Sequence, residues 1–77
     1  MLEQLQALAG SNKPWAAQRA AMALEMYSAL EQGQISPNEY RELLEDLVRT
    51  DRLDAEADDI EIKTMLVTAI WAVAQVV

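Results

Sequence analysis

The chain has 77 residues, enough for one domain, and a formal net charge of −7 from thirteen acidic and six basic side chains. It contains neither Cys nor His, which removes disulfides, thiolate metal sites, the commonest general base and the strongest nucleophile. A balance this acidic also offers no electrostatic footprint for a phosphate backbone or an anionic membrane surface.

The first predicted helix covers residues 2–9. Leu2, Leu5, Leu8 and Ala9 recur at helical spacing, and Gly10 offers a left-handed stop. Ser11 or Asn12 can cap a second helix over 14–32, which contains six alanines and whose first turn suits Pro14. Ala16, Ala20 and Ala23 align with Tyr27 and Leu30, and such small residues let helices approach closely within one chain or between two. Gly33 ends this helix.

The third helix, 37–50, has the clearest start. In Ser36-Pro37-Asn38-Glu39 the Ser hydroxyl can accept from the Glu39 amide while the Glu39 carboxylate reaches back to the Ser36 amide. Ile35 and Tyr40 stand where a hydrophobic staple would place them. The apolar face reads Tyr40, Leu43, Leu44, Leu47 and Val48, and Glu45 to Arg49 forms an i,i+4 pair on the other side. The rhythm breaks at Asp51, so residues 50–54 are read as a connection or a bend.

The last helix is expected over 55–77, with Ile62, Met65, Leu66, Ala69, Ile70, Val73 and Val77 as its stripe. Acids before the apolar run suit a helix N-terminus through its partial positive charge. From Met65 to Val77 eleven of thirteen residues are apolar, short of the roughly 20 that a bilayer span needs. Such a helix has almost no polar face. It is therefore either the centre of the bundle or the seat of a second chain. The fold class expected is all-α, a bundle of three to four helices.

Few residues suggest chemistry. A calcium loop starting at Asp54 would need Gly at its sixth position and Glu at its twelfth, where Asp59 and Met65 stand. Ser11, Ser28 and Ser36 have no activating base near them in sequence. No catalytic residue, metal site, cofactor or small-molecule ligand is expected. The residues assigned to an interface are Met65, Leu66, Ile70, Trp71, Val73, Val77 and Trp15, with Trp15 expected to be partly exposed. Ten of the thirteen acids lie between Glu39 and Glu61, and Glu42, Asp46, Asp54, Asp58 and Asp59 make a candidate acidic face.

The segment from Leu24 through Gly33-Gln34-Ile35-Ser36-Pro37-Asn38-Glu39-Tyr40 resembles helical-hairpin modules of the SHOCT type. That resemblance implies a hairpin used for oligomerisation or tethering. The chain as a whole is similar in style to small accessory proteins of tailed bacteriophages. The expectation is a non-enzymatic assembly or structural protein, acting as a homo-oligomer or as a subunit of a larger particle. Its partners are expected to be protein, with no direct nucleic acid and no membrane. The N-terminus lacks a basic leader, and the absence of Cys fits a reducing compartment, so the expected location is the cytoplasm or a virion. An acidic inhibitor filling a basic groove of a nucleic-acid-binding protein, and a monomeric adaptor for one partner helix, are the alternatives.

Overall fold

The computed structural model describes residues 2–49 and 51–75, and every regular element among them is a helix: α1 Glu3–Ala9, α2 Pro14–Glu31, α3 Pro37–Arg49, α4 Asp51–Glu56 and α5 Ile60–Ala74. α1 lies on α2, α2 on α3, and α4 on α3. α5 touches α1, α2 and α3, so with α2 it lies at the centre of the bundle. The radius of gyration, 11.7 Å, matches the value of about 11.5 Å expected for a compact chain of this length.

Helix ends obey local chemistry, with two departures from the sequence reading. α1 does not use the left-handed stop assigned to Gly10, whose φ is −94°. Instead the Gly10 and Ser11 amides donate to the Ala7 and Leu8 carbonyls at 3.1 and 3.0 Å, a tight last turn that any residue can make. Nor does Ser11 or Asn12 cap α2. Lys13 is the residue before the helix, Pro14 opens it, and the Ser11 hydroxyl accepts from the Lys13 amide at 3.1 Å. At the other end of α2 the left-handed glycine is real. Gly33 has φ +74°, its amide donates to the Leu30 carbonyl at 3.1 Å, and the Gln34 amide reaches the Ala29 carbonyl at 2.9 Å. These two bonds form a Schellman end, which turns the chain back toward α3. There the reciprocal cap forms as expected, with Glu39 N–H donating to Ser36 Oγ at 3.1 Å and Ser36 N–H to Glu39 Oε1 at 3.3 Å.

The core is built from Leu5 and Leu8 of α1, Trp15, Ala16, Ala20 and Ala23 of α2, and Tyr40, Leu44 and Leu47 of α3. Leu53 of α4 and Leu66, Ala69, Ile70, Val73 and Ala74 of α5 complete it. Ala16, Ala20 and Ala23 are fully buried, so the alanine face is spent within the monomer. The Tyr40 ring meets Tyr27 edge-on at 6.3 Å between centroids. Its hydroxyl donates to the Val73 carbonyl at 3.0 Å, one of the groups a helix leaves unsatisfied in its last turn. Tyr40 thereby ties the start of α3 to the end of α5.

The acidic stretch folds differently from the sequence reading. Residues 51–56, expected in part as a connection, form α4, and Leu53 is completely buried. The break falls instead at residues 57–59. α5 starts at Ile60 rather than near 55, because the extended Asp59 caps it by accepting the Ile62 amide at 3.0 Å. One buried Leu in a six-residue helix displays no period, so the apolar rhythm could not announce α4. Thr50 lies outside the described residues.

Candidate interaction site

Three surfaces carry the residues singled out by sequence. The first is a polar clasp that fastens the 54–59 segment to the start of α2 and to α5. Asp58 accepts from the Trp15 indole Nε1 at 3.1 Å and pairs with Lys13 Nζ at 3.2 Å. Glu56 pairs with Arg19 at 2.8 Å, and a second Arg19 nitrogen donates to the Trp15 carbonyl at 3.0 Å. Asp54 pairs with Lys63. Trp15, expected to be partly exposed, is instead 7% exposed and hydrogen-bonded inside the chain. The core encloses the indole ring, and the acid at position 58 gives its N–H the acceptor it requires.

This clasp divides the expected acidic face. Asp54 and Asp58 are ion-paired internally and Asp59 caps α5. Glu42 and Asp46 are exposed on α3, where neither forms an ion pair among the described residues. Three of five residues assigned to a partner-facing surface thus have structural duties. No group of three or more Asp or Glu side chains among the described residues is placed to hold a metal ion.

The hydrogen bonds from Trp15 and Lys13 hold the Asp58 carboxyl below its ordinary range. A depressed folded pKa contributes stability that is present above the unfolded value, near 3.8, and lost as pH falls through the folded value. Acidification below pH 4 is therefore expected to open the clasp. A red shift of Trp15 emission should precede the loss of helical dichroism. Asp58→Asn, which keeps an acceptor without the charge, should flatten that early step; an unaltered step would place the acid response elsewhere.

The second surface is a groove of about 420 Å³ between α2, α3 and α4, lined by Gln18, Arg19, Met22, Asp46, Leu47, Arg52 and Glu56. Its Arg19 is already engaged by Glu56. Two cations and two anions share the walls, leaving no net charge to select a ligand.

The third surface is the outer side of α5. Of the residues expected at an interface, Leu66, Ile70 and Val73 are 0% exposed and face inward, a correction to their outward assignment. The stripe read from the sequence is the core face, as its period requires. Met65 is 43% exposed, Trp71 is partly buried, and Val77 lies outside the described residues. Ile60, which sequence reasoning passed over, is 81% exposed, the most open large apolar side chain described. Its neighbours Lys63, Thr64, Val67 and Thr68 line a shallow groove of about 360 Å³ with it. From Thr64 to Gln75 the solvent side of α5 carries no charge. The signal that could have found this face lay in the sequence, in the uncharged flank opposite the stripe.

Compared with known proteins, the chain matches no family model, no curated protein and no solved structure. Residues 24–40, which carry the SHOCT-type resemblance, form the end of α2, the Gly33 turn and the start of α3. No helix among the described residues is long and apolar enough to cross a membrane.

Proposed function

We propose that this chain is a non-enzymatic interaction subunit that joins a protein assembly by helix–helix packing through the outer face of α5. The supporting observation is the uncharged stretch from Thr64 to Gln75, beside Ile60 at 81% and Met65 at 43% exposure, on a chain of net charge −7. Depletion of charge with retained apolar area characterises the centre of protein interfaces. Packing of one helix against another is a recurrent way of meeting a partner. The lack of His and Cys supports the non-enzymatic part of this reading. The resemblance to small phage accessory proteins makes a larger particle the natural setting.

An acidic inhibitor would draw on Glu42 and Asp46, which form no ion pair among the described residues, and on Asp54 and Asp58, which stay exposed but already have a cation of this chain beside them. That reading is the weaker one.

A charge on the face is the test. Thr68 is exposed and outside the core, so Thr68→Glu should leave helical dichroism and thermal midpoint unchanged. Association measured by solution mass should weaken at least about tenfold, the equivalent of ~1.4 kcal/mol. An assembly indifferent to this substitution would place the contact elsewhere.

A further inference from the structure

We propose that residues 51–59 form a latched strap, which lifts off the body made by α1, α2, α3 and α5 as one unit while that body stays folded, and which opens the groove between α2 and α3 as it lifts. The device does not depend on the α5 face.

Two kinds of attachment hold the strap. The first is apolar and slight. Among the described residues, every buried core side chain except Leu53 belongs to α1, α2, α3 or α5, so the body keeps the rest of its core when the strap leaves. Ala57 packs partly against that core, while Arg52, Asp54, Ala55, Glu56 and Asp58 are exposed. A segment that buries so little apolar area opens locally at a lower cost than the whole domain. The second attachment is charge. Asp54, Glu56 and Asp58 each meet a different cation of the body: Lys63 of α5, Arg19 of α2 and Lys13 just before α2. Half of the six basic side chains are thus committed to one short segment of a chain with thirteen acids.

The placement of these pairs makes them a latch. Residues two apart on a helix point away from each other, so Asp54 and Glu56 hold α4 from two sides. Asp58 lies beyond the helix and fastens the 57–59 break. Exposed ion pairs are weak one by one, and water reaches all three. They act on a single closed state, so each adds to the hold of the others. Opening changes what the body offers. Arg52 and Glu56 of the strap form one wall of the groove of about 420 Å³, and Met22 and Leu47 lie on its body side. Lifting removes that wall, releases Arg19 from Glu56 and leaves a wider cleft with Met22 and Leu47 in it.

Native-state amide hydrogen exchange tests the device. The Ala57 amide, which donates to the Leu53 carbonyl at 2.8 Å, should exchange at least about tenfold faster than the Ile70 amide of α5 once intrinsic rates are divided out. Lys13→Gln and Lys63→Gln remove pairs at opposite ends of the strap. Each should speed Ala57 exchange at least about twofold, and the double variant at least about fourfold, with Ile70 exchange and helical dichroism unchanged. Arg49→Gln, which breaks the Glu45 pair on α3, should leave Ala57 as it was. The natural absence of cysteine supplies a second readout. Leu47→Cys should react with a thiol reagent, and the two latch substitutions should speed that reaction by the same factors. Ala57 and Ile70 amides that exchange alike, or that respond alike to the latch variants, would mean that the segment opens only with the whole fold, and would overturn the proposal. Ala57 exchange indifferent to both lysines would overturn the latch, and Leu47→Cys labelling indifferent to them would overturn the opening of the groove.

Discussion

Ile70→Asp is expected to abolish the folded state, not merely an interface. Ile70 is 0% exposed in the middle of α5, a helix that touches α1, α2 and α3. A carboxylate there has no cation within the core to meet it, because no charged residue is buried among those described. Removing the aliphatic side chain and burying an unpaired charge together cost on the order of 4–6 kcal/mol. A chain of this length has a total stability of roughly 4–12 kcal/mol. The thermal transition should disappear, or fall far enough that the protein is largely unfolded at room temperature. Thr68→Glu, only two residues away on the opposite side of the same helix, should leave the midpoint within the effect of an ordinary surface change. An Ile70→Asp variant with wild-type melting would refute the inward assignment of the stripe.

Tyr40→Ala should be nearly as damaging, at about 3–5 kcal/mol for an aromatic removed from a packed core. Tyr40 is the largest fully buried side chain, and its ring also supports Tyr27. Tyr40→Phe separates the two roles of this residue. It keeps the ring and loses the bond to the Val73 carbonyl, an expected cost of about 0.5–1.5 kcal/mol. The same hydroxyl makes the fold sensitive to alkali. Burial, with a smaller contribution from the Tyr27 hydroxyl, pushes the Tyr40 pKa from 10.0 up to about 12. A raised folded value contributes stability that is complete below pH 10 and is lost as pH climbs through 12. Denaturant titrations should therefore show a decline between pH 10 and 12 that Tyr40→Phe lacks. Equal declines in both proteins would assign the alkaline transition to another group.

How much of this was legible in sequence depends on the length of each signal. α3 showed its cap, its ion pair and its apolar face, apart from the exposed Leu43, because thirteen residues repeat one period with a reciprocal cap at its head. The all-helical class came from the same periodicity. α4 was not legible. Its single anchor, Leu53, is indistinguishable in sequence from an isolated apolar residue in a loop. Trp15 was expected to be partly exposed because Lys13 and Pro14 precede it, whereas the acceptor for its indole N–H is Asp58, 43 positions away. The internal partners of the acidic residues were illegible for the same reason. Composition shows that acids cluster, but only the fold brings Lys13, Arg19 and Lys63 to them. The sequence could state that the last helix had two apolar sides. Which side was the core came from its period, and the significance of Ile60 came only from its 81% exposure.

The central position of α5 also bears on synthesis. A nascent chain that has emerged through residue 59 carries the residues of α1 to α4 but still lacks Leu66, Ala69, Ile70, Val73 and Ala74. Tyr40 then has no Val73 carbonyl to bind, and Leu5 and Leu44 have no central helix to close over them. The early helices can flicker at the ribosome exit, but the cooperative step waits for the last fifteen-residue helix. Until that moment a translating polysome displays the uncovered groove in many copies, and α5 from a neighbouring chain fits it as well as its own. Exchange of this helix between chains is the error to which such a topology is most exposed.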